Sequence, residues 1–325
     1  VPLVSVVLIF LNEERFLEEA VKSVRDQKLA DWELILVDDG STDRSTMIAC
    51  NLAAEDKRVR YVDHPGHANR GASASRNLGA AHATAPYIAF LDADDVWEPE
   101  KLAEQVDLLE SMPDVAMVSG AVRYWYSWDP AATEQDYIVI KSDRRLDPPE
   151  AALKLYPLGK DPGAGVDLLV RRRVFEAVGG FEEHFRGIYQ LYEDQVFLIK
   201  VYLRYPVYLS SRVWRHYRQH DASCVARTTG RDYWRVRGFF LDWLQADVRR
   251  LGDPRVTGAL RRAGREIRYQ PLNAHALQAV DRLLAPLPPK YKDLVKRNLR
   301  RVKRKIAAAK RGMAEPDPPA GARPS

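Results

Sequence analysis

Residues 86–95 read Pro86-Tyr87-Ile88-Ala89-Phe90-Leu91-Asp92-Ala93-Asp94-Asp95. The apolar run is too short for an independent helix, and it ends in three carboxylates within four positions. Pro86 suits the first position of a strand, Tyr87 to Leu91 can be covered on both faces of a sheet, and Asp92 opens the loop past the strand's carboxyl end. Ligands of open α/β sheets gather at that end. Crowding Asp92, Asp94 and Asp95 is electrostatically unfavourable unless water or a cation compensates, and hard divalent ions with oxygen ligands are natural compensators. Taken alone, Asp-Ala-Asp-Asp also fits an acidic turn that caps the next helix. The flanking chain decides between the two.

Working outward, the same arrangement recurs. Leu3 to Leu11 is a buried strand, followed by Asn12 as a helix cap and a helix predicted from Glu13 to about Gln27, with Phe16, Leu17, Ala20, Val21 and Val24 on one face. Trp32 to Val37 is a second strand, ending in Asp38-Asp39-Gly40-Ser41-Thr42-Asp43 before a helix through about Asp56. Val59 to Val62 is a short third strand and Ala72 to Ala83 a helix of small residues. Beyond residue 95, a helix is expected at Glu98 to Ser111 and a strand at Val115 to Tyr124. This alternation predicts an α/β fold, a mostly parallel sheet with helices on both faces. Residues 124–165 hold Trp125, Tyr126, Trp128 and several prolines, and read as loops over the sheet's carboxyl edge. Order resumes with a strand at Val166 to Val170, helices at about Arg172 to Val178 and Glu193 to Leu203, and an extended Val207 to Leu209. From Asp232 to Leu284 the pattern is helical and amphipathic, anchored by Phe239, Phe240, Trp243 and Leu244.

With 325 residues and 46% hydrophobic content the chain can bury a full core. No stretch approaches the roughly 18 consecutive apolar residues of a membrane span, and Val1 to Leu11 reads as a strand and not a leader. Cys50 and Cys224 match no metal-ligand spacing and are expected to be reduced packing residues, which points to a cytoplasmic compartment. The net charge of +5 is concentrated at one end: residues 290–311 carry eleven Lys or Arg against Asp293, so the body of the chain is mildly acidic. In that segment Tyr291, Leu294, Val295, Leu299, Val302 and Ile306 recur at helical spacing among basic residues, the pattern of a helix on an anionic surface such as the inner face of the plasma membrane. The plain alternative is a stripe docked on residues 232–284 with a solvated basic face. Nucleic acid is disfavoured by the scarcity of interleaved aromatics. Residues 312–325, rich in Pro, Ala and Gly, are expected to be disordered.

Two strands ending in acidic clusters can set those clusters side by side, which suits a polyanion and a metal. A nucleoside diphosphate needs groups for base, ribose and phosphate. Asp38 or Asp39 can accept from a base N–H, Asp92 from ribose hydroxyls, and Asp94 can ligate the cation that neutralises phosphate. A dinucleotide fingerprint is absent: Phe10-Leu11-Asn12-Glu13-Glu14-Arg15 follows the first strand where Gly-x-Gly-x-x-Gly is required, and there is no Gly-x-x-x-x-Gly-Lys-Ser/Thr loop.

From about Val4 to Ala226 these residues resemble the inverting, metal-dependent family 2 glycosyltransferases of the GT-A fold. The resemblance is carried, in order, by Val4-Ser5-Val6-Val7 with Asn12-Glu13, by Val37-Asp38-Asp39-Gly40-Ser41-Thr42-Asp43, by Gly71 and Ser75-Arg76-Asn77-Leu78-Gly79, and by the Asp-x-Asp motif Leu91-Asp92-Ala93-Asp94-Asp95. Gly179-Gly180-Phe181, Glu193-Asp194 and Tyr217-Arg218-Gln219-His220 with Ser223 match the acceptor half. The resemblance implies a Rossmann-like GT-A domain at residues 1–228, divided into a nucleotide-sugar half (1–120) and an acceptor half (121–228). A helical extension (229–289), the basic helix (290–311) and a tail (312–325) follow. It implies that Asp39, with or without Asp38, holds the base and Asp92 the ribose, with Arg76 near the nucleotide or paired to one of the aspartates. Asp94 would ligate Mn2+ or Mg2+, and His220 would complete the metal shell or touch phosphate. Asp194, with Glu193 as its neighbour, would be the base that takes the acceptor proton. Trp125 and Trp128 stand where aromatics stack on a sugar or anchor a loop. The donor is then a nucleotide sugar, with UDP expected before GDP or dTDP, and the acceptor a glycan, glycolipid or lipid-linked sugar. Two alternatives are a processive synthase, whose Gln-x-x-Arg-Trp motif this sequence lacks, and a catalytically silent nucleotide-sugar-binding protein.

Overall fold

Strand β1 (Val4–Phe10) is buried along its whole length because it has a strand on each edge and helices over each face. It pairs in parallel with β2 (Trp32–Asp38) on one edge and β4 (Tyr87–Asp92) on the other, and β3 (Val59–Asp63) extends the parallel set beyond β2. Val4, Val6, Leu8 and Phe10 join a core with helices α1 (Leu17–Arg25), α2 (Ser45–Glu55) and α4 (Lys101–Ser111). Val7 and Ile9 face the opposite way, toward α3 (Ala72–Ala81), α6 (Arg172–Ala177), α7 (Glu193–Tyr202) and α8 (Gly230–Leu251). The period-two alternation of one strand thus feeds two cores.

The computed structural model describes residues 1–139, 143–161, 165, 167–221, 223, 228 and 230–267. The chain divides into two compact units, Val1–Ile267 and Arg268–Ser325, and the described residues belong to the first. The expected basic helix at 290–311, the tail at 312–325 and Cys224 lie outside them. No helix among the described residues is long and apolar enough to cross a membrane.

Beyond β4 the sheet becomes mixed. Its order is β3-β2-β1-β4-β9-β6-β10-β5, where β9 (Leu168–Arg171) runs antiparallel to both β4 and β6 (Met117–Trp125), and β10 (Val207–Arg218) is parallel to β6. Residues 124–165 are not loop alone: β7 (Tyr137–Val139) pairs with β6, β8 (Arg144–Leu146) pairs with β10, and α5 (Glu150–Lys154) follows.

Several local expectations are corrected. Helix α1 begins at Leu17 and not Glu13, and Asn12 is no cap for it; with φ of 58°, Asn12 turns its Oδ1 to the N–H groups of Thr42 (2.7 Å) and Asp43 (3.3 Å), pinning the turn after β2. Helix α4 begins at Lys101, because Val96–Trp97 forms β5 against β10, a strand too short to show periodicity. β10 runs for twelve residues where only Val207 to Leu209 was expected; register shifts between Leu209 and Arg215 break the alternation that marks a strand. Cys50 is exposed on α2 and does not pack.

One glycine sets the height of α3. A Cβ at Gly79 would stand 2.3 Å from Val7 Cγ1 and 3.0 Å from Val37 Cγ2, so the helix rests directly on β1 and β2. On the same side α8 packs Phe239 against Tyr189 (4.2 Å between ring centroids) and Phe240 against Tyr192 (5.2 Å), bracing the 3-10 segment Gly187–Tyr192 that leads into α7.

Candidate active site

The two acidic strand ends flank the end of β1. Phe10 is in register with Asp38 and Ile9 with Asp92, so the acidic turns are one strand apart and not adjacent, a separation of about 10 Å. Both turns contribute to one cavity of about 580 Å3. Asp39, Arg76, Asp92, Asp94, Glu193, Asp194 and His220 line it, and Asp38 does not.

Asp38 is fully buried beneath its turn. Its Oδ1 accepts from the Ser41 N–H (2.8 Å) and its Oδ2 from the Thr46 hydroxyl (2.6 Å), so it shapes the loop that presents Asp39. Asp39 in turn accepts from the Arg70 N–H (2.7 Å) and, through both oxygens, from the Gly71 N–H (3.0 Å each). Gly71 has φ of 90°, a conformation open chiefly to glycine, at the entry to α3. That entry aims Arg76 at the cavity.

Arg76 joins the two halves of the site. Its Nη2 donates to Asp92 Oδ1 (2.6 Å) and its Nη1 to Glu193 Oε1, 117 positions away in sequence. It is 3% exposed, so its pairing to an aspartate, one of the two readings the sequence allowed, is a buried one. Burial works against its charge, but Glu193 and Asp92 outweigh burial and hold the guanidinium above its ordinary range. Burial pushes the Glu193 carboxyl up to about 8 although Arg76 pulls the other way. Both Glu193 and Asp194 line the cavity. Asp194 is less buried; its Oδ1 accepts from the Gln195 N–H (2.6 Å) and its Oδ2 from Gln195 Nε2 (3.2 Å), and burial raises its pKa too.

Asp94 Oδ2 and His220 Nε2 stand 3.0 Å apart. A carboxylate beside an imidazole is a donor pair that suits Mn2+ and admits Mg2+ on its oxygen side. Among the described residues no cluster of three or more His, Cys, Asp or Glu is arranged to hold a metal ion.

The family profile described as glycosyl transferase family 2 matches residues 5–179, more than half of the chain. The chain belongs to glycosyl transferase family 2. A putative glycosyltransferase of Bacillus subtilis, EpsH, is 30% identical over 233 residues, covering 70% of this chain and 63% of the relative. The putative teichuronic acid biosynthesis glycosyltransferase TuaG of the same organism is 39% identical over 110 residues, covering 33% of this chain and 42% of TuaG. The match thus spans less than half the length of TuaG. Among solved structures, residues 1–349 of S. aureus TarS in complex with UDP-GlcNAc give a TM-score of 0.57 at 16% identity over 73% of this chain and 65% of that one. The mannosyltransferase PcManGT from Pyrobaculum calidifontis, in complex with GDP-Man and Mn2+, gives 0.53 at 18% identity over 90% and 83%. These likenesses show the GT-A fold.

In this family 2 chain the sequence reading left several cavity residues without a role. Glu13, at the turn after β1, lies in the cavity, and burial together with Asp94 raises its carboxyl to about 7 against the pull of His220. Its signal was its place: it follows a strand end, as Asp39 and Asp94 do. Tyr217, which the Tyr217-Arg218-Gln219-His220 stretch included without a role, also lines the cavity, as do Gln190 and Asp232, which no motif marked. Trp125 and Trp128 do not; they pack on Arg218, with ring centroids 4.5 and 5.0 Å from its Cζ, and so anchor the loop.

Proposed function

We propose that the chain is a non-processive glycosyltransferase that moves one sugar from a nucleotide-sugar donor to an acceptor hydroxyl with inversion at the anomeric carbon. The observation that carries the reading is the convergence on one cavity of Asp39, Asp92 and Asp94 from the nucleotide-sugar half of the fold and of Asp194 and His220 from the acceptor half. In this reading Asp39 receives the base and Asp92 the ribose. Asp94 and His220 hold Mn2+ or Mg2+, which when bound neutralises charge on the diphosphate. UDP is the first donor nucleotide to test and GDP the second, given the ligands of the TarS and PcManGT structures.

Asp194 is the base. Its oxygens accept from Gln195 and retain lone pairs for an acceptor hydroxyl, whereas Glu193 is held by Arg76 and biased toward its neutral form. Asp194 takes the hydroxyl proton as the acceptor oxygen bonds to the anomeric carbon and the bond from that carbon to the diphosphate oxygen breaks. A single displacement inverts the centre. The name of TuaG suggests a cell-envelope polysaccharide as the acceptor class, and residues 290–311 would bring the enzyme to a membrane surface holding such acceptors.

The test is a panel of nucleotide sugars with Mn2+, Mg2+ or excess EDTA, reading nucleotide release and the anomeric configuration of the product. Turnover with no donor, turnover indifferent to EDTA, or a retained configuration would overturn the reading. Donor binding without turnover would support a silent binding protein instead.

A further inference from the structure

Arg218 closes β10 and is 3% exposed, yet it does not line the cavity. Its backbone N–H donates to Asp95 Oδ1 (3.0 Å), its Nε donates to the backbone carbonyl of Asp94 (2.7 Å), and its Nη2 pairs with Glu19 Oε2 on α1 (2.5 Å). The guanidinium stands against three aromatic rings from two parts of the chain: Phe16 at 4.5 Å, and Trp125 at 4.5 Å with Trp128 at 5.0 Å. Two of these rings reach His220 and its neighbour. Phe16 packs on the His220 ring at 5.6 Å, and Trp128 Nε1 donates to the Gln219 carbonyl (2.9 Å).

Resting on the reading of Asp94 and His220 as the metal-holding pair, we infer that Arg218 is a positioning residue that sets both partners at once. It holds Asp94 by the peptide plane and His220 through the aromatic rings. The turn it grips is closed by the Asp95 N–H on the Asp92 carbonyl (3.0 Å), so with the Asp94 carbonyl also fixed, the direction of the Asp94 side chain is determined from behind. The fork geometry is essential. One planar group donates to a carbonyl and a carboxylate while presenting faces to aromatic rings, which the point charge of lysine cannot do. The rings also exclude water from a cation that would otherwise prefer to be hydrated, and Glu19 supplies the compensating charge from the exposed side, where its own side chain is 49% accessible.

The experiment is direct Mn2+ titration of the full chain, following free Mn2+ by electron paramagnetic resonance, with Mn2+ alone and with UDP or GDP present. Wild type, Arg218→Lys, Glu19→Gln and Asp94→Ala are compared, with thermal melting of each. Arg218→Lys should bind Mn2+ about 10–100-fold more weakly, the usual cost of losing a group that orients a metal ligand. Transfer activity should return at raised Mn2+, and the donor KM at saturating Mn2+ should stay at the wild-type value because the Asp39 end of the cavity is untouched. Glu19→Gln should shift Mn2+ affinity in the same direction by less, and it carries the test if Arg218→Lys does not fold. Wild-type Mn2+ affinity in folded Arg218→Lys, or in Glu19→Gln where Arg218→Lys is unfolded, overturns the positioning role alone. A wild-type chain that binds no Mn2+ under any of these conditions overturns the metal reading, and this inference with it.

Discussion

Replacing Arg76 with methionine removes the cation between Asp92 and Glu193 while keeping similar length and apolar bulk. Breaking a buried ion pair by deleting one partner costs about 3–5 kcal/mol, and the lower end applies here because the Asp92 side chain is 29% exposed and can be rehydrated. At about 2–4 °C per kcal/mol for a chain somewhat smaller than this one, melting should fall by roughly 6–12 °C. The pH dependence separates this cause from lost packing. Glu193 has its folded pKa raised from 4.5 to about 8, so its stabilising contribution is fully present below 4.5 and is lost as pH rises through about 8. Arg76 is what pulls that value down. In Arg76→Met the folded pKa rises further, Glu193 keeps its proton where the wild type has released it, and the variant continues to lose stability where the wild type has levelled. The two curves should run parallel below about pH 8 and part above it by up to about 1.4 kcal/mol per unit. Circular-dichroism melts from about pH 6 to about pH 9.5 measure this, and the double variant Arg76→Met/Glu193→Gln should abolish the divergence. A loss under about 1 kcal/mol throughout, as for a surface pair, would refute the argument, as would a gap that stays constant across pH.

Four other outcomes follow from the geometry. Asp94→Ala should melt within about 1 kcal/mol of wild type, because the side chain serves a loop and not the core, yet lose metal-dependent turnover; wild-type activity in excess EDTA, or an active variant, would sink the metal assignment. Asp194→Asn should retain donor binding by calorimetry while transfer drops by about 10²–10⁴-fold, the range of a general base, and a drop below about tenfold would hand the role to another group. Since burial raises the Asp194 pKa above 3.8 and the base works deprotonated, kcat/KM should fall with decreasing pH through a pKa above that value, and an acid limb at or below it would contradict the assignment. Gly79→Ala, whose Cβ would meet Val7 Cγ1 at 2.3 Å, should cost about 1–3 kcal/mol of overpacking, and an unchanged melting temperature would show that α3 can lift off β1 freely.

The parallel half of the sheet was legible because β1, β2 and β4 are buried on both faces and announce themselves as apolar runs ending in acid. The mixed half was not. β10 is paired on both edges at Val207–Leu209 and at Arg215–His216, on either side of an irregular stretch holding Ser210, Ser211 and Arg212, so composition argued against a strand that register and tertiary contacts impose. At the site, the carboxylates facing the cavity were readable from their positions at strand ends, but the division of labour between neighbours was not. Asp38 and Asp39 are one residue apart, and only the hydrogen bonds of Ser41 and Thr46 to the first and of Arg70 and Gly71 to the second separate a loop brace from a cavity wall. The cations were least legible, because Arg76 and Arg218 act across 117 and 199 positions of sequence.

Those cations also resolve the electrostatic problem of the acidic turn. Three carboxylates within four positions repel one another, and the fold compensates them unequally. Asp92 receives the Arg76 guanidinium at 2.6 Å. Asp95, fully buried, receives Arg215 at 3.3 Å and the Arg218 N–H at 3.0 Å, while burial still drives its pKa well above the ordinary range. Arg218 spends its charge on Glu19 and reaches Asp94 only through the backbone carbonyl. Among the described residues Asp94 is therefore the member of the turn whose carboxylate pairs with no guanidinium, and its partner is the imidazole of His220, a group that can itself ligate a metal. Glu13 stands in the same cavity, its carboxyl raised to about 7 by burial and by Asp94. The protein has thus paired Asp92 and Asp95 with guanidinium groups. Beside the third it leaves a carboxylate with a nitrogen donor, and in the proposed reading that pair would hold the divalent cation that neutralises the diphosphate.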